Sequence, residues 1–395
     1  MSLSDMVAAG PTGPQHSPGR KAYPDGWQPR SEVDDVDGGY VVSRPQSLSG
    51  EHNSSHGDFA AVLDEFGLDP AQWTVERVRR SRWQKYDGEW LESVRLSILP
   101  ARAGAAARAD AEALCREIGK FRVKGSAKLA ENSGSFVAPI GDTQIGKTDG
   151  GGTAAAVPRI LAEIESGARR FRVLHKRHGF AQAVLPQVGD CIEGNVSQKG
   201  AVVGRSDLGV TEQVRVYRRL LWAQVRAYAA IAPQVLVPVV PGNHDEPTRF
   251  PMTTYTDSWA IEAASAVQDA VSENPDLAER VRFVFPEHDE LTVTVNVSGT
   301  VLGLAHGHQF GRDPLRWWSD QAGGRQPIGD ADVLLSGHLH HLRVQDHGGG
   351  RLFLQVPSLD GGSTWFRHRA GASAPSRAVT FWTAEGRVYD LDPVL

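Results

Sequence analysis

The sequence predicts an α/β (α+β) chain in which two packed sheets carry helices on their outer faces, preceded by a small α+β accessory module. Three observations predict it. From about residue 132, apolar strand-like runs alternate with amphipathic helical runs, a pattern that argues for sheets covered by helices. Beyond residue 280 strand-like runs dominate, which calls for a second sheet. The first 130 residues follow neither pattern.

Taken in order, residues 1–57 are rich in Gly, Pro, Ser and Asp and read as disordered or loosely attached. In "DFAAVLDEFGLDP", Phe59, Val62, Leu63 and Phe66 recur at helical spacing and Gly67 marks a stop. "WTVERVRRSRWQKYDGEWLESVRLSILP" has two β-rich arms around Asp87-Gly88, a strong hairpin signal. Residues 58–130 are thus expected to form an accessory module, a helix on a hairpin, closed by the Ala-rich linker helix "ARAGAAARADAEALCREIGKF".

Residues 131–395 form the expected main domain. Strand "SFVAPI" leads to helix "VPRILAEIESGARRFRVLHKR", strand "QAVLPQV" to helix "TEQVRVYRRLLWAQVRAYAAIA", and then comes strand "QVLVPVV". The later strands are "RVRFVF", "LTVTVNV", "VLGLAH", "DVLLSG", "RLFLQV" and "AVTFWT", with the tail closing the second sheet. The segment carrying Trp317 and Trp318 is read as a packed surface helix rather than a lid.

Composition is that of a soluble globular protein, with 40% hydrophobic and 23% charged residues. The net charge of −5 argues against a protein that coats nucleic acid with its whole surface. The charge is uneven, however: residues 1–70 hold four Lys/Arg against eleven Asp/Glu, and residues 71–130 hold thirteen against seven. Cys115 and Cys191 lie too far apart in sequence for a CxxC pair, so a reducing, cytoplasmic setting is expected. No run approaches the roughly 20 apolar residues that span a bilayer, and the start lacks the pattern of a signal peptide. No membrane partner is expected.

The chemistry lies at the strand ends. They read "GDTQIG" with Asp142 and Gln144, "GDCIEGN" with Asp190, Glu193 and Asn195, and "PGNHDE" with Asn243, His244 and Asp245. Two later strands end in "LAHGHQFG", with His306 and His308, and "LLSGHLHH", with His338, His340 and His341. Any one such tip is explained by a turn, but five in a row bearing carboxylate, amide and imidazole groups are not. The carboxyl ends of strands are where sites assemble in α/β sheets. This donor set suits manganese, iron or zinc rather than copper(I) or an iron–sulfur cluster. It holds more ligands than one ion needs, so two ions about 3.5–4 Å apart are expected.

The ordered blocks "GDTQ", "GDCIEGN", "GNHD", "HGH" and "GHLH" resemble the calcineurin-like metallophosphoesterase superfamily over residues 135–395. The resemblance implies a four-layer αββα sandwich and a metal-dependent hydrolase of phosphate esters. It implies that Asp142, Gln144 and His340 serve a first divalent ion, that Asn243, His306 and His338 serve a second, and that Asp190 bridges the two. Hydrolysis would use a hydroxide between the ions. His244 would be the catalytic histidine beside the phosphate, with Asp245 next to it as an orienting group. Gln144 stands where the family usually has His, and this neutral oxygen favours Mn2+ or Mg2+ over Zn2+, with Fe2+ a further candidate. Glu193, Asn195 and His308 are expected to contact substrate or to support the ligands. Cys191 has nothing beside it to activate a thiolate and is read as filler.

The chain looks nearest to the SbcD-type DNA exonuclease branch, an architecture also met in bacteriophage. DNA is accordingly the expected substrate, and a partner ATPase or a homodimer the expected assembly. Arg79, Arg80, Arg82, Trp83 and Lys85 interleave positive charge with aromatics, as a nucleic-acid groove requires. A small-molecule phosphoesterase fits the acidic net charge better, and a lapsed, purely binding domain is the third reading.

Overall fold

In a computed structural model of the chain the described residues are 32–36, 39–47, 73–84, 90–100, 111–123, 134–196, 206–248, 254–311, 313–362, 368 and 378–393. They fall into two compact units, within Met1–Arg102 and Ala103–Leu395.

The first unit is a four-stranded antiparallel sheet of β1 (Glu32–Val36), β2 (Gly39–Ser47), β3 (Trp73–Gln84) and β4 (Trp90–Pro100), ordered β1-β2-β4-β3. The β3–β4 ladder runs from Trp73↔Pro100 to Gln84↔Trp90, as a hairpin around Asp87-Gly88 requires. The segment expected to be loose instead supplies β1 and β2. Tyr40, Val41 and Val42 give β2 the aromatic and β-branched residues a strand favours, although Gly, Asp and Pro surround them. The helix expected around Phe59–Phe66 lies outside the described residues.

The second unit begins with α1 (Ala111–Lys120). It is no free linker. Leu114 and Ile118 are buried, and Glu117 accepts from Trp222 Nε1 (3.0 Å), Arg219 (2.8 Å) and Arg226 (2.8 Å). The boundary between units therefore falls at residue 102, before this helix rather than after it.

There follow β5 (Ser135–Val137), α2 (Gly152–His178), β6 (Gln182–Val184), α3 (Val210–Ala229), β7 (Val235–Pro238), α4 (Trp259–Ser272), the single turn α5 (Pro275–Ala278) and β8 (Val281–Val284). The rest is β9 (Thr292–Val297), β10 (Thr300–Ala305), α6 (Pro314–Gly323), β11 (Val333–Ser336), β12 (Arg343–Gly348), β13 (Arg351–Gln355), β14 (Val379–Ala384) and β15 (Arg387–Pro393). One sheet has the order β15-β14-β5-β6-β7-β8, with β5 to β8 parallel. The other has the order β12-β13-β11-β10-β9, with β10, β11 and β13 parallel.

Strand alternation explains the layering, because successive side chains face opposite ways. Phe136, Ala183 and Val237 point into a helix-covered core with Phe171, Tyr228 and Val267. Their neighbours Val137, Val184 and Leu236 meet Leu302, Leu304, Leu335 and Leu354 of the other sheet. Beyond that sheet, Leu334 and Phe353 face Trp318 of α6 and Ile328. The order is thus helices, sheet, sheet, helix. Trp318 is fully buried and donates Nε1 to Ile328 O at 2.9 Å, so α6 is a packed helix and not a lid.

Two elements escape the sequence pattern. The α4 helix is Ala-rich, with Ser258 capping it at Ala260 N, and β12 is an edge strand of alternating exposure with few apolar residues. One placement also differs. The tail closes the first sheet, not the second: β14 pairs antiparallel with β5, as in Phe381↔Val137. Periodicity reports which residues face inward but not which strand lies alongside. Among the described residues, no helix is long and apolar enough to cross a membrane.

Candidate metal centre

The chain leaving β5 and the chain leaving β6 stay paired beyond the sheet. Bridges Ile140↔Gln187 and Ile145↔Ile192 flank the hydrogen bonds Asp142 N to Gly189 O (3.0 Å) and Gln144 N to Asp190 O (3.0 Å). The backbone there is strained. Among the described residues ten non-glycine residues have positive φ, and five of them are Asp142, Gln144, Asp190, His338 and His340. Such conformations cost about 1–3 kcal/mol each and persist where surrounding structure enforces them, commonly at functional sites.

Ligand atoms of Asp190, His306 and His338 lie within 4.8 Å of one another. His306 is fully buried, and its Nδ1 lies 2.7 Å from Val188 O. A carbonyl only accepts, so Nδ1 carries the proton and the ring aims Nε2 at Asp190 Oδ2, 3.1 Å away and without a hydrogen bond. Asn243 follows Gly242, where a Cβ would lie 2.1 Å from Asp190 Oδ1, and precedes His244, whose N donates to the same oxygen at 2.8 Å. The side-chain oxygen of Asn243 is buried with no hydrogen-bond partner. A buried imidazole nitrogen 3.1 Å from a buried carboxylate favours a positive charge between them, whether a proton or a metal ion. The residues Asp190, Asn243, His306 and His338 therefore fit a divalent ion, with one carboxylate, one amide oxygen and two imidazoles.

The titration behaviour agrees. Burial alone would lower the His306 pKa, but the Asp190 carboxylate outweighs it and lifts the ring to about 10. His338 goes the other way, to about 4, through burial and the neighbouring His306 charge, and so stays a neutral ligand. A cation must therefore displace a proton. A group raised in the folded state gives stability that is complete below its ordinary value of 6.5 and lost as pH climbs through about 10. Across that window Mn2+ affinity should strengthen by about tenfold per pH unit for each proton displaced. Calorimetric titration in buffers of different ionisation enthalpy will show proton release, and a pH-independent affinity would contradict this.

His244 stands beside the centre, with Nε2 4.0 Å from Asp190 Oδ2 and Nδ1 3.0 Å from Glu193 O. Burial would lower its pKa, but Asp190 and then Glu193 hold it near 9. Asp245 does not orient it. The fully buried carboxylate of Asp245 accepts from Cys191 N (2.9 Å), Ile192 N (3.3 Å), Cys191 Sγ (3.0 Å) and Gly242 N (2.9 Å). It ties the loop after β6 to the loop after β7, while Glu193 holds the His244 ring. Burial and Asp245 push the Cys191 thiol well above its ordinary range, so it is no nucleophile.

The other half of the expected site is arranged differently. Asp142 accepts from His338 N through both oxygens (3.1 and 2.9 Å), and His340 Nε2 lies 3.4 Å from Asp142 Oδ1. Gln144 turns its oxygen away, accepting from Lys147 Nζ at 2.7 Å, and sets its amide nitrogen 3.4 Å from His340 Nε2. Lys147 also pairs with Asp360, whose Oδ2 is 3.3 Å from His340 Nδ1. Sequence reading passed over Lys147 and Asp360. Lys147 closes the opening motif, whereas Asp360 reaches the site only through the loop after β13, which no periodicity marks.

Of the remaining candidates, His308 has its ring centroid 5.6 Å from that of His306 and lines a cleft with Gly242, Tyr255 and Leu291. Asn195 and His341 are exposed. Arg79, Arg80, Arg82 and Trp83 lie along β3 in the first unit, and Lys85 falls outside the described residues.

No family model and no curated protein matches the chain. Among solved structures it is similar to a variant of Vps29 from Entamoeba histolytica, at 16% identity and TM-score 0.29 over 65% of this chain and 97% of that one. It is similar to a dimetal phosphatase from Danio rerio at 11% identity and TM-score 0.32, over 64% and 94%. It is also similar to phosphopantetheinyl hydrolase from Mycobacterium tuberculosis at 14% identity and TM-score 0.26, over 63% and 96%. Likenesses of this size carry no functional argument, which rests on the side chains alone.

Proposed function

We propose that the chain is a metal-dependent hydrolase of phosphate esters, of the calcineurin-like metallophosphoesterase kind that its five sequence blocks resemble. The observation that supports it best is the convergence of Asp190, His306 and His338 within 4.8 Å. A divalent ion held there by Asp190, Asn243, His306 and His338, for which we favour Mn2+, would supply Lewis acidity toward a phosphoryl oxygen and would make bound water a stronger acid.

The chain's own groups do the rest. Val188 O fixes the tautomer of His306, so that Nε2 is offered to the centre. Glu193 O receives the Nδ1 proton of His244 and points Nε2 toward Asp190. From there His244 is placed to give a proton to the leaving oxygen of the ester. Replacing His244 with Ala should lower kcat by about 10²–10⁴-fold while leaving metal content near that of the parent. If kcat stays unchanged, His244 is not the proton donor.

Within this class we propose DNA as the diester. The support is the basic and aromatic run Arg79, Arg80, Arg82, Trp83 and Lys85, four of whose members lie on β3. Purified protein with Mn2+ should hydrolyse bis-p-nitrophenyl phosphate and degrade linear DNA in preference to cyclic nucleotides. Reversing the charges of Arg79, Arg80 and Arg82 should weaken DNA binding and flatten its salt dependence without changing turnover of the small diester. Turnover of cyclic nucleotides or phosphomonoesters alone would identify a small-molecule enzyme, and no turnover at all would overturn the proposal.

A further inference from the structure

We infer that this chain holds a single divalent ion, at Asp190, Asn243, His306 and His338, and that Lys147, with Gln144 and Asp360, closes the adjoining Asp142–His340 position against a second. The inference rests on the reading above that the Asp190 group holds an ion, and it departs from the two-ion arrangement that the sequence blocks imply.

A second ion beside Asp190 would need ligands from Asp142, residue 144 and His340. The residues present do not offer them. Lys147 Nζ is a donor only, so the oxygen it meets at 2.7 Å fixes the amide of Gln144. That leaves the amide nitrogen facing His340 Nε2 at 3.4 Å. An amide nitrogen carries two N–H donors and no lone pair for a cation. Where an imidazole lone pair would be needed, the chain presents N–H groups. Asp142 already accepts from His338 N through both oxygens. Among the described residues no other trio of His, Cys, Asp or Glu ligand atoms closes to within 4.8 Å.

The charge there is already balanced. Asp360 is buried, and its Oδ1 accepts from Gly362 N at 2.8 Å while Oδ2 meets Lys147 and His340. Asp360 N is held by Ser358 Oγ at 3.0 Å, and Ser358 Oγ donates to Asp142 O at 2.8 Å. The ammonium of Lys147 is therefore built into the same loop framework that carries Asp142. Its side chain is only 11% exposed. An ammonium held against Gln144 and Asp360 repels a second dication at the Asp142–His340 position and stands in for part of its charge.

The probe is Mn2+ and the readouts are bound metal per full-length chain, by elemental analysis after gel filtration, and the electron paramagnetic resonance spectrum. One equivalent with the six-line spectrum of an isolated ion is expected. Two equivalents with an exchange-coupled spectrum would overturn the inference and leave the proposed function standing, whereas no bound metal would overturn both. The double variant Gln144→His with Lys147→Ala should take up a second equivalent. Lys147→Met alone should bind one equivalent, because residue 144 still offers no imidazole, and should melt below the parent, because Asp360 loses its buried partner. A well-folded double variant that still binds one ion would show that Lys147 and Gln144 are not what closes the position.

Discussion

Asp190→Asn should cost more than about 100-fold in Mn2+ affinity, and turnover of bis-p-nitrophenyl phosphate should fall with it. Loss of a group that merely supports a metal ligand typically costs 10–100-fold, and Asp190 is the one carboxylate of the ligand group itself. The substitution keeps the shape and leaves an oxygen to accept from His244 N, so the loop after β7 need not move. What it removes is the charge that faces His306 Nε2 at 3.1 Å. Thermal melting reads the loss directly. An ion at 100 times its Kd stabilises the parent by about 2.7 kcal/mol, and the variant should gain less than about 0.4 kcal/mol at the same concentration. An undiminished shift would mean that the ion binds elsewhere, and the centre described above would fall with it.

Asp245→Ala should be the most damaging change to stability near the centre, about 3–5 kcal/mol. It strands the backbone N–H groups of Cys191, Ile192 and Gly242, all within the protein, each worth about 1–3 kcal/mol when left unsatisfied. Relief from burying a carboxylate offsets part of that sum. The distinguishing result lies in how Tm and kcat move. Asp245→Ala should lower both together, because the loop carrying Asp190 loses its tie to the loop carrying Asn243. A variant with normal Tm and collapsed kcat would instead make Asp245 a participant in the chemistry.

Much of this was legible in the sequence because strand ends and ligands coincide. The alternation of Phe136 with Val137 and of Leu334 with Leu335 separates three cores, and a period of two shows it without coordinates. Likewise Asp190, His306 and His338 each follow an apolar run, so their meeting at one edge is what parallel strands dictate. Three things were not legible. Asp245 follows His244 in the chain, yet two of its partners, Cys191 and Ile192, lie more than fifty positions away. The amide of Gln144 has two ends, and only Lys147 decides which faces the centre. The attachment of the tail depends on strand neighbours, and these are set by contacts far apart in sequence.

That attachment has a consequence for biogenesis. The strand that leads into Asp142 is flanked on one side by β6, which the ribosome delivers soon afterwards, and on the other by β14, which starts at Val379. Until then one side of β5 is an open ladder, ready to pair with any extended chain nearby. The late arrival of its partner predicts that nascent chains halted before Val379 aggregate instead of loading metal.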